Sequence, residues 1–308
     1  MVSRTSGKQI IFAVAIFLAF GLLIIGIFIL YQSNIKPPRY NASREDDDLA
    51  VLSGIASVEK NLTESKNVKA VVVPHHLVAS KSIALGVSLF GTSSQVQVVV
   101  LSPDHYGKCP KLLCTTTGSY QTFFGDVPID NQTVVQLSKS SQLVDISDLF
   151  QEEHGVYAIV PFIKFFMPNS KIIPIAVSQK GRGTESQRSE IIKLLEPLFK
   201  NGAVLIVSTD FSHYLPLDQA KEMDKKTEET LCAGDSDSIL SLKNPSQSDC
   251  PFCLWILEQE AKNLGFWNPV ILTHTNSAEL LNNLAVKETT SHFTIELYSD
   301  PKMNKCHK

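Results

Sequence analysis

The segment VVVPHH, Val71–His76, decides how this chain of 308 residues is expected to fold. A short β-branched run that is closed by turn-forming residues is typical of a buried strand. The same arrangement recurs twice, where Val96–Leu101 leads into Ser102–His105 and Ala203–Val207 leads into Ser208–His213. Each of these three predicted strands is therefore followed within a few residues by a histidine.

Predicted strands and helices alternate outward from these segments. Further strands are predicted at 171–177, 268–273 and 291–298, and helices at 79–91, 185–199, 218–232 and 251–264. This alternation indicates an α/β fold with a mostly parallel central sheet and helices on both faces. Ligands of such sheets collect beyond the carboxyl ends of the strands. We therefore expect His75, His105 and His213 to meet at that edge.

An uncharged run, IIFAVAIFLAFGLLIIGIFILY, occupies residues 10–31. At ~1.5 Å rise per residue, a helix of this length spans the ~30 Å hydrocarbon core of a bilayer. A cleaved signal peptide is the alternative, but its apolar core would be ~7–15 residues long and end in small residues. We predict a single-pass membrane protein with an N-terminal transmembrane helix. Its globular domain is placed outside the cytoplasm, although balanced flanking charges do not fix the orientation.

The predicted domain organisation has five parts. They are a short tail at 1–9, the anchor at 10–31, a polar tether with a short helix at 32–66, an α/β domain at 67–299, and a C-terminal tail at 300–308. The tether is inferred from its Pro, Ser and Asn content and from an acidic run. The formal net charge of −3 gives no reason to expect nucleic acid as a partner.

The chain has six cysteines, and two pairs of them are closely spaced. Because the spacings differ and a four-cysteine zinc site would leave the histidines without a role, we do not predict such a site. For Cys109 and Cys114 we favour a local disulfide or free thiols. Cys250 precedes an apolar helix, whose N-terminus favours a thiolate. A structural disulfide between Cys250 and Cys253 is an equal alternative.

Asp210 and His213 lie three residues apart, directly after a predicted strand. If this segment begins a helix, the two side chains share a face, and Asp210 could orient His213 as an acid/base group. The alternative is that Asp210 only caps the helix. Similarly, His105 could stand in an ordinary turn formed by Pro103-Asp104.

The remaining histidines give weaker signals. His76 is adjacent to His75, so their side chains should diverge. Glu153, before His154, could simply cap an apolar helix and favour its positive end. His274 and His292 fall in or near late strands, and we interpret them as structural residues.

The order of these motifs resembles that of the Memo family, also called AmmeMemoRadiSam system protein B. The family pattern contains Pro-His-Ala-Gly, Gly-Pro-Ser-His, Glu-His-Ser-x-Glu before a helix with Leu-Pro-Phe, Ser-Ser-Asp-Phe-Ser-His and Cys-Gly. The matching segments here are Pro74-His75, Ser102–His105, Glu153–Gly155 with Pro161–Ile163, Ser208–His213 and Cys250-Pro251. The match extends from about Val68 to Leu297, and Ser-x-Asp-Phe-Ser-His is its most specific element.

The resemblance implies a fold similar to that of class III extradiol dioxygenases, which bind non-haem Fe(II) through two histidines and a carboxylate. Carried over residue by residue, it implies that His75, His105 and Cys250 bind a metal ion. His213 would be the acid/base group, with Asp210 beside it. Imidazole and thiolate suit Fe, Cu or Zn, and we expect Fe(II) or Cu in preference to Zn. The implied function is that of a metal-dependent redox or dioxygenase-like enzyme.

The chain also departs from the family pattern. Leu77 and Pro251 stand where the pattern has glycine, and Tyr157 stands where it has a second glutamate. These changes alter the walls of the pocket and leave its small-molecule or peptide partner undetermined. The alternative function is a non-enzymatic protein that binds a metal or a peptide in the same pocket, because one fold hosts both kinds of role. Metal-assisted hydrolysis is a third hypothesis.

Overall fold

A computed structural model describes residues 17, 18, 20–24, 37–43, 45–58, 68–91, 96–298 and 306. The chain divides into two compact units, residues 1–38 and 39–308. The described residues of the first unit between positions 17 and 24 are helical. The second unit contains the strands and helices that form the pocket.

The prediction of a transmembrane anchor at residues 10–31 is contradicted by the structure. Among the residues that the structure describes, none belongs to a helix that is both long enough and apolar enough to cross a bilayer. The prediction rested on the length of the uncharged run. The predicted positions other than 17, 18 and 20–24 lie outside the described residues. The predictions of a membrane partner and of a single-pass, extracytoplasmic location are therefore wrong as well.

The described strands of the second unit form two sheets. The small sheet has the order β1-β5-β6, with strands Arg39–Asn41, Ser119–Thr122 and Gly125–Val127. The large sheet has the order β10-β12-β2-β9-β3-β8-β4-β7, and β11 also pairs with β12. Its strands are β2 Val68–Val73, β3 Gln97–Pro103, β4 Leu113–Thr115, β7 Val144–Ile146, β8 Lys171–Val177, β9 Val204–Ser208, β10 His213–Leu215, β11 Pro269–Asn276 and β12 Thr289–Tyr298.

The large sheet is mixed, which contradicts the prediction of a mostly parallel sheet. Strands β2, β9, β3 and β8 are parallel neighbours, and we call them the parallel group. Strands β10 and β11 each pair antiparallel with β12, and β12 pairs antiparallel with β2. We call β10, β11 and β12 the antiparallel group. A parallel pair needs a long crossover, whereas a short connection joins antiparallel neighbours. The connection between β11 and β12, residues 277–288, includes only one short helix, and β12 runs antiparallel to both β11 and β2.

Helices cover the parallel group on both faces. Ala70–Val73 of β2 and Val98–Leu101 of β3 are buried without interruption, although successive side chains point to opposite faces. Gly86 allows one helix to lie directly on β2, because an added Cβ would overlap Val73 Cγ1. The helices are α1 Glu45–Ala56, α2 Ser80–Ser88, α3 Asn131–Ser140, α4 His154–Tyr157, α5 Val160–Phe166, α6 Glu185–Lys200, α7 Leu217–Ala233, α8 Ser236–Leu240, α9 Pro251–Asn263 and α10 Ser277–Leu280.

Candidate metal centre

The carboxyl ends of three parallel strands open into one pocket of about 890 Å³. His75 follows β2, His105 follows β3 and Asp210 follows β9. Because these strands are parallel and adjacent in the order β2-β9-β3, their ends lie at the same edge of the sheet. The structure thus brings together His75, His105 and His213, all three of which line the pocket. Its walls also include His76, His154, Asp210 and Asp249.

His75 and His105 are each held through the ring nitrogen Nδ1. His75 Nδ1 lies 3.1 Å from Ser208 Oγ, and His105 Nδ1 lies 2.5 Å from Glu153 Oε1. The backbone N–H of His105 also donates to Glu153 Oε2 at 3.0 Å. When Nδ1 donates to such a partner, the tautomer is fixed and the Nε2 lone pair is left for a metal ion.

Asp249 places one carboxylate oxygen between these two Nε2 atoms. Its Oδ2 lies 3.2 Å from His75 Nε2 and 3.5 Å from His105 Nε2, and this buried oxygen has no hydrogen-bond partner among the described residues. Its Oδ1 accepts hydrogen bonds from Thr209 Oγ1 at 2.5 Å and from the backbone N–H of Asp210 at 3.2 Å. Ligands bound at ~2.0–2.1 Å to one ion lie about 3.0–3.4 Å apart. The distance from Asp249 Oδ2 to His75 Nε2 lies in this range, and the distance to His105 Nε2 is slightly longer. One ligand atom from each of His75, Asp210 and Asp249 also lies within 4.8 Å of the others.

Carboxylates surround the two histidines and favour positive charge in the pocket. Burial lowers the pKa of His105, but Asp249 and Glu153 outweigh it and raise that pKa to about 10. Burial likewise opposes protonation of His75, yet the charges of Asp210 and Asp249 raise its pKa. The pKa of Asp249 is held well below its usual value, although burial opposes this, because His75 and His105 interact with it. This environment suits a cation, whether a proton or a metal ion.

His154 forms a further wall of the site. Its ring stacks on His105 with centroids 3.8 Å apart and an interplanar angle of 30°. Burial and the charges of His75 and His105 lower its pKa to about 4, so its imidazole is neutral. One nitrogen from each of His75, His105 and His154 lies within 4.8 Å of the others. These three residues could therefore hold a metal ion.

The expected helical pairing of Asp210 with His213 does not form. Phe211 forms a bridge with Ser248, and His213 begins strand β10 with its Nδ1 against the carbonyl oxygen of Phe211. Asp210 Oδ1 instead accepts from the backbone N–H of His75 at 3.2 Å. Extended backbone replaces the predicted helix because this segment pairs with residues distant in sequence. Asp210 and His213 nevertheless line the same pocket.

Cys250 is fully buried, and its Sγ is bonded to Cys253. This is the disulfide alternative that the sequence left open, and a disulfide sulfur is not a thiolate ligand. The preceding residue, Asp249, reaches the pocket instead. The metal-binding role of Cys250 stays a prediction for the chain with this disulfide reduced.

Sequence reasoning missed Asp249 and gave little weight to Glu153 and His154. Glu153 does cap α4, since its Oε1 accepts from the backbone N–H of Gly155 at 2.9 Å. The same side chain orients His105, so capping and site support are combined in one residue. The available signal for Asp249 was its place beside Cys250.

The chain belongs to the Memo family, because the model of Memo-like proteins matches residues 40–282. It is 27% identical over 186 residues to a MEMO1 family protein of Pyrobaculum aerophilum, covering 59% of this chain and 66% of the relative. It is 31% identical over 149 residues to one of Methanopyrus kandleri, covering 47% of this chain and 52% of the relative. The chain thus spans less than two thirds of the length of these relatives.

Among solved structures, an uncharacterized protein from Escherichia coli K12 aligns with a TM-score of 0.47. The sequence identity is 14%, and the alignment covers 74% of this chain and 98% of that chain. This likeness is too low to support a structural argument. The family assignment confirms the resemblance seen in the sequence motifs.

Proposed function

We propose that this protein is a redox enzyme whose pocket holds a divalent iron ion through His75, His105 and Asp249, the primary site. The observation that carries the proposal is the unpartnered Asp249 Oδ2, which faces both Nε2 atoms. Two imidazoles and one carboxylate leave other coordination positions open, as in non-haem Fe(II) oxygenases. Copper is the alternative metal, since imidazole suits it as well.

Neighbouring side chains fix the orientation of these three ligands in the absence of an ion. Ser208 and Glu153 fix the ring orientation of the two histidines, and Thr209 fixes the carboxylate of Asp249. Supporting contacts of this kind commonly change metal affinity by ~10–100-fold. When bound, the ion would supply Lewis acidity and one-electron redox chemistry to a small molecule in the pocket.

His213 is the acid/base group of this proposal, and Asp210 is the charge beside it. The Nδ1 of His213 contacts the carbonyl oxygen of Phe211, which leaves Nε2 to exchange a proton. His213 lines the pocket without belonging to the His75–His105–Asp249 set. It therefore can move a proton without releasing the ion.

The test separates metal binding from turnover. Protein purified without added metal is analysed for metal content, loaded with Fe(II) or Cu under anoxia, and then assayed for oxygen uptake with candidate small molecules. We expect His213→Ala to keep the ion but lose ~10²–10⁴-fold in rate, whereas His105→Ala loses the ion. Bound metal with no oxygen uptake or substrate conversion in the wild type would leave the non-enzymatic binding function.

A further inference from the structure

We propose a second metal site at the wall of this pocket, formed by His76 and Asp210, which line the pocket, and by the buried His292 behind them, and we call it the secondary site. One ligand atom from each of these residues lies within 4.8 Å of the others. Neither of its two histidines belongs to the primary site, so it extends the proposed function rather than restating it.

His292 is the buried histidine for which the fold alone gives no role. It is fully buried on β12, and its Nδ1 has no hydrogen-bond partner among the described residues. Its Nε2 lies 3.4 Å from His76 Nδ1, which is long for a hydrogen bond. The nitrogen that faces His76 is Nε2, so Nε2 would be the ligand atom, and the unpartnered Nδ1 would not contact the ion.

The spacing of the two histidines fits coordination. Two nitrogens bound at ~2.0–2.1 Å to a tetrahedral ion lie about 3.3–3.4 Å apart, which matches the distance between His76 Nδ1 and His292 Nε2. His76 is exposed at the pocket wall, while His292 lies behind it. An ion can therefore enter from the pocket and reach the buried imidazole.

Asp210 supplies the negative charge and connects the two sites. Its side chain is buried, and its Oδ2 lies 3.5 Å from His75 Nε2 of the primary site. A carboxylate has two oxygens and can bridge ions that lie ~3.5–4 Å apart, as in two-metal enzymes. Two imidazoles and one carboxylate select a divalent first-row transition metal over Ca²⁺ or Mg²⁺.

The experiment counts bound Co²⁺ per chain by equilibrium dialysis with metal analysis, and follows visible absorption during titration. We expect two ions in the wild type and one in His76→Ala, in His292→Asn and in His105→Ala. His274→Gln is the matched control, because this histidine belongs to neither proposed ligand set and contacts Asp224 through its Nε2; it should keep two ions. His76 is exposed, so its variant decides the result if the buried His292 variant does not fold.

If the wild type binds one ion, and that ion is still bound in His76→Ala but lost in His105→Ala, the secondary site is overturned and the primary site stands. Two ions in His76→Ala would overturn it as well. If the wild type binds one ion that is still bound in His105→Ala but lost in His76→Ala, the secondary site is supported and the primary site is overturned.

Discussion

The parallel and antiparallel groups of strands contribute to the same pocket in opposite ways. A parallel strand delivers the residues that follow its end, as β2 delivers His75 and β3 delivers His105. Strand β12 runs antiparallel to β2, with Ile295 opposite Val72, so the beginning of β12 lies at the pocket edge. It therefore delivers Thr290 to the pocket wall from inside the strand and places His292 behind His76. A histidine can be placed from sequence only when the direction of its strand is known.

The largest expected effect is that of Asp249→Asn, which tests the carboxylate that lies between the two histidines delivered by β2 and β3. The variant keeps the side-chain volume but removes the charge between His75 and His105. We expect the affinity of the primary site to fall by more than about 100-fold, beyond the usual effect of an outer contact. Competition with a chromogenic chelator measures it. Asp237→Asn, on an exposed position of α8, is the control; equal affinities in both variants would contradict the site.

Glu153→Gln tests a side chain that supports only a ligand delivered by the parallel group, namely His105. The amide keeps an acceptor for the backbone of Gly155 but loses the charge that orients His105. We expect ~10–100-fold weaker binding at the primary site and unchanged binding at the secondary site. The adjacent Glu152 is exposed and paired with Lys108, so Glu152→Gln is a matched control that should change neither affinity.

His274→Ala tests the antiparallel group away from the pocket. His274 Nε2 lies 2.9 Å from Oδ2 of the fully buried Asp224, whose other oxygen accepts from Ser212 at 2.6 Å. Loss of a hydrogen bond to a buried charge should lower the free energy of unfolding by ~1–3 kcal/mol. Urea denaturation measures this change. Loss of bound metal in the folded variant would show that the two groups are coupled more closely than we expect.

The remaining expected effect is a pH dependence of the metal-free protein, which is gradual within any one pH unit. The folded-state pKa of His105, about 10, exceeds its reference value of 6.5 because Asp249 and Glu153 outweigh burial. Its protonation therefore stabilises the fold fully below about pH 6.5, and this contribution is lost as pH rises toward 10. The slope is at most about 1.4 kcal/mol per pH unit.

Denaturant unfolding between pH 7 and 10, with a chelator present, measures this slope. We expect Glu153→Gln to reduce it, because one of the two carboxylates that hold the proton is gone. Saturating metal should also reduce it, since the ion displaces the proton. A stability that does not change with pH in the metal-free wild type would contradict the assigned protonation of His105.

Much of what the parallel group contributes to the site could be predicted from the sequence. The β-branched runs before His75 and His105 are local signals, and parallel strands bring their ends to one edge by geometry alone. The pairing of Cys250 could not be decided, because a cysteine before a helix suits both a thiolate and a disulfide.

The rest of the site depends on contacts between residues that are distant in sequence. No sequence pattern near His292 indicates that β12 lies beside β2 and is antiparallel to it. Asp249 enters the pocket because its loop pairs with the segment after β9, through the bridge between Phe211 and Ser248. Such pairings arise from the whole fold, so local pattern overlooked Asp249 and did not place His292 beside His76.

The pairing of β2 with β12 also has a consequence for synthesis. Strand β2 ends at Val73 and β12 begins at Thr289, and a ribosome adds ~5–20 residues per second, so roughly 10–40 s separate the two. During that interval one edge of β2 has no strand to pair with, and an open edge invites pairing with other chains. A growing chain of this protein therefore passes through a period of aggregation risk that ends when β12 is inserted, and chaperones that cover strand edges would act in that period.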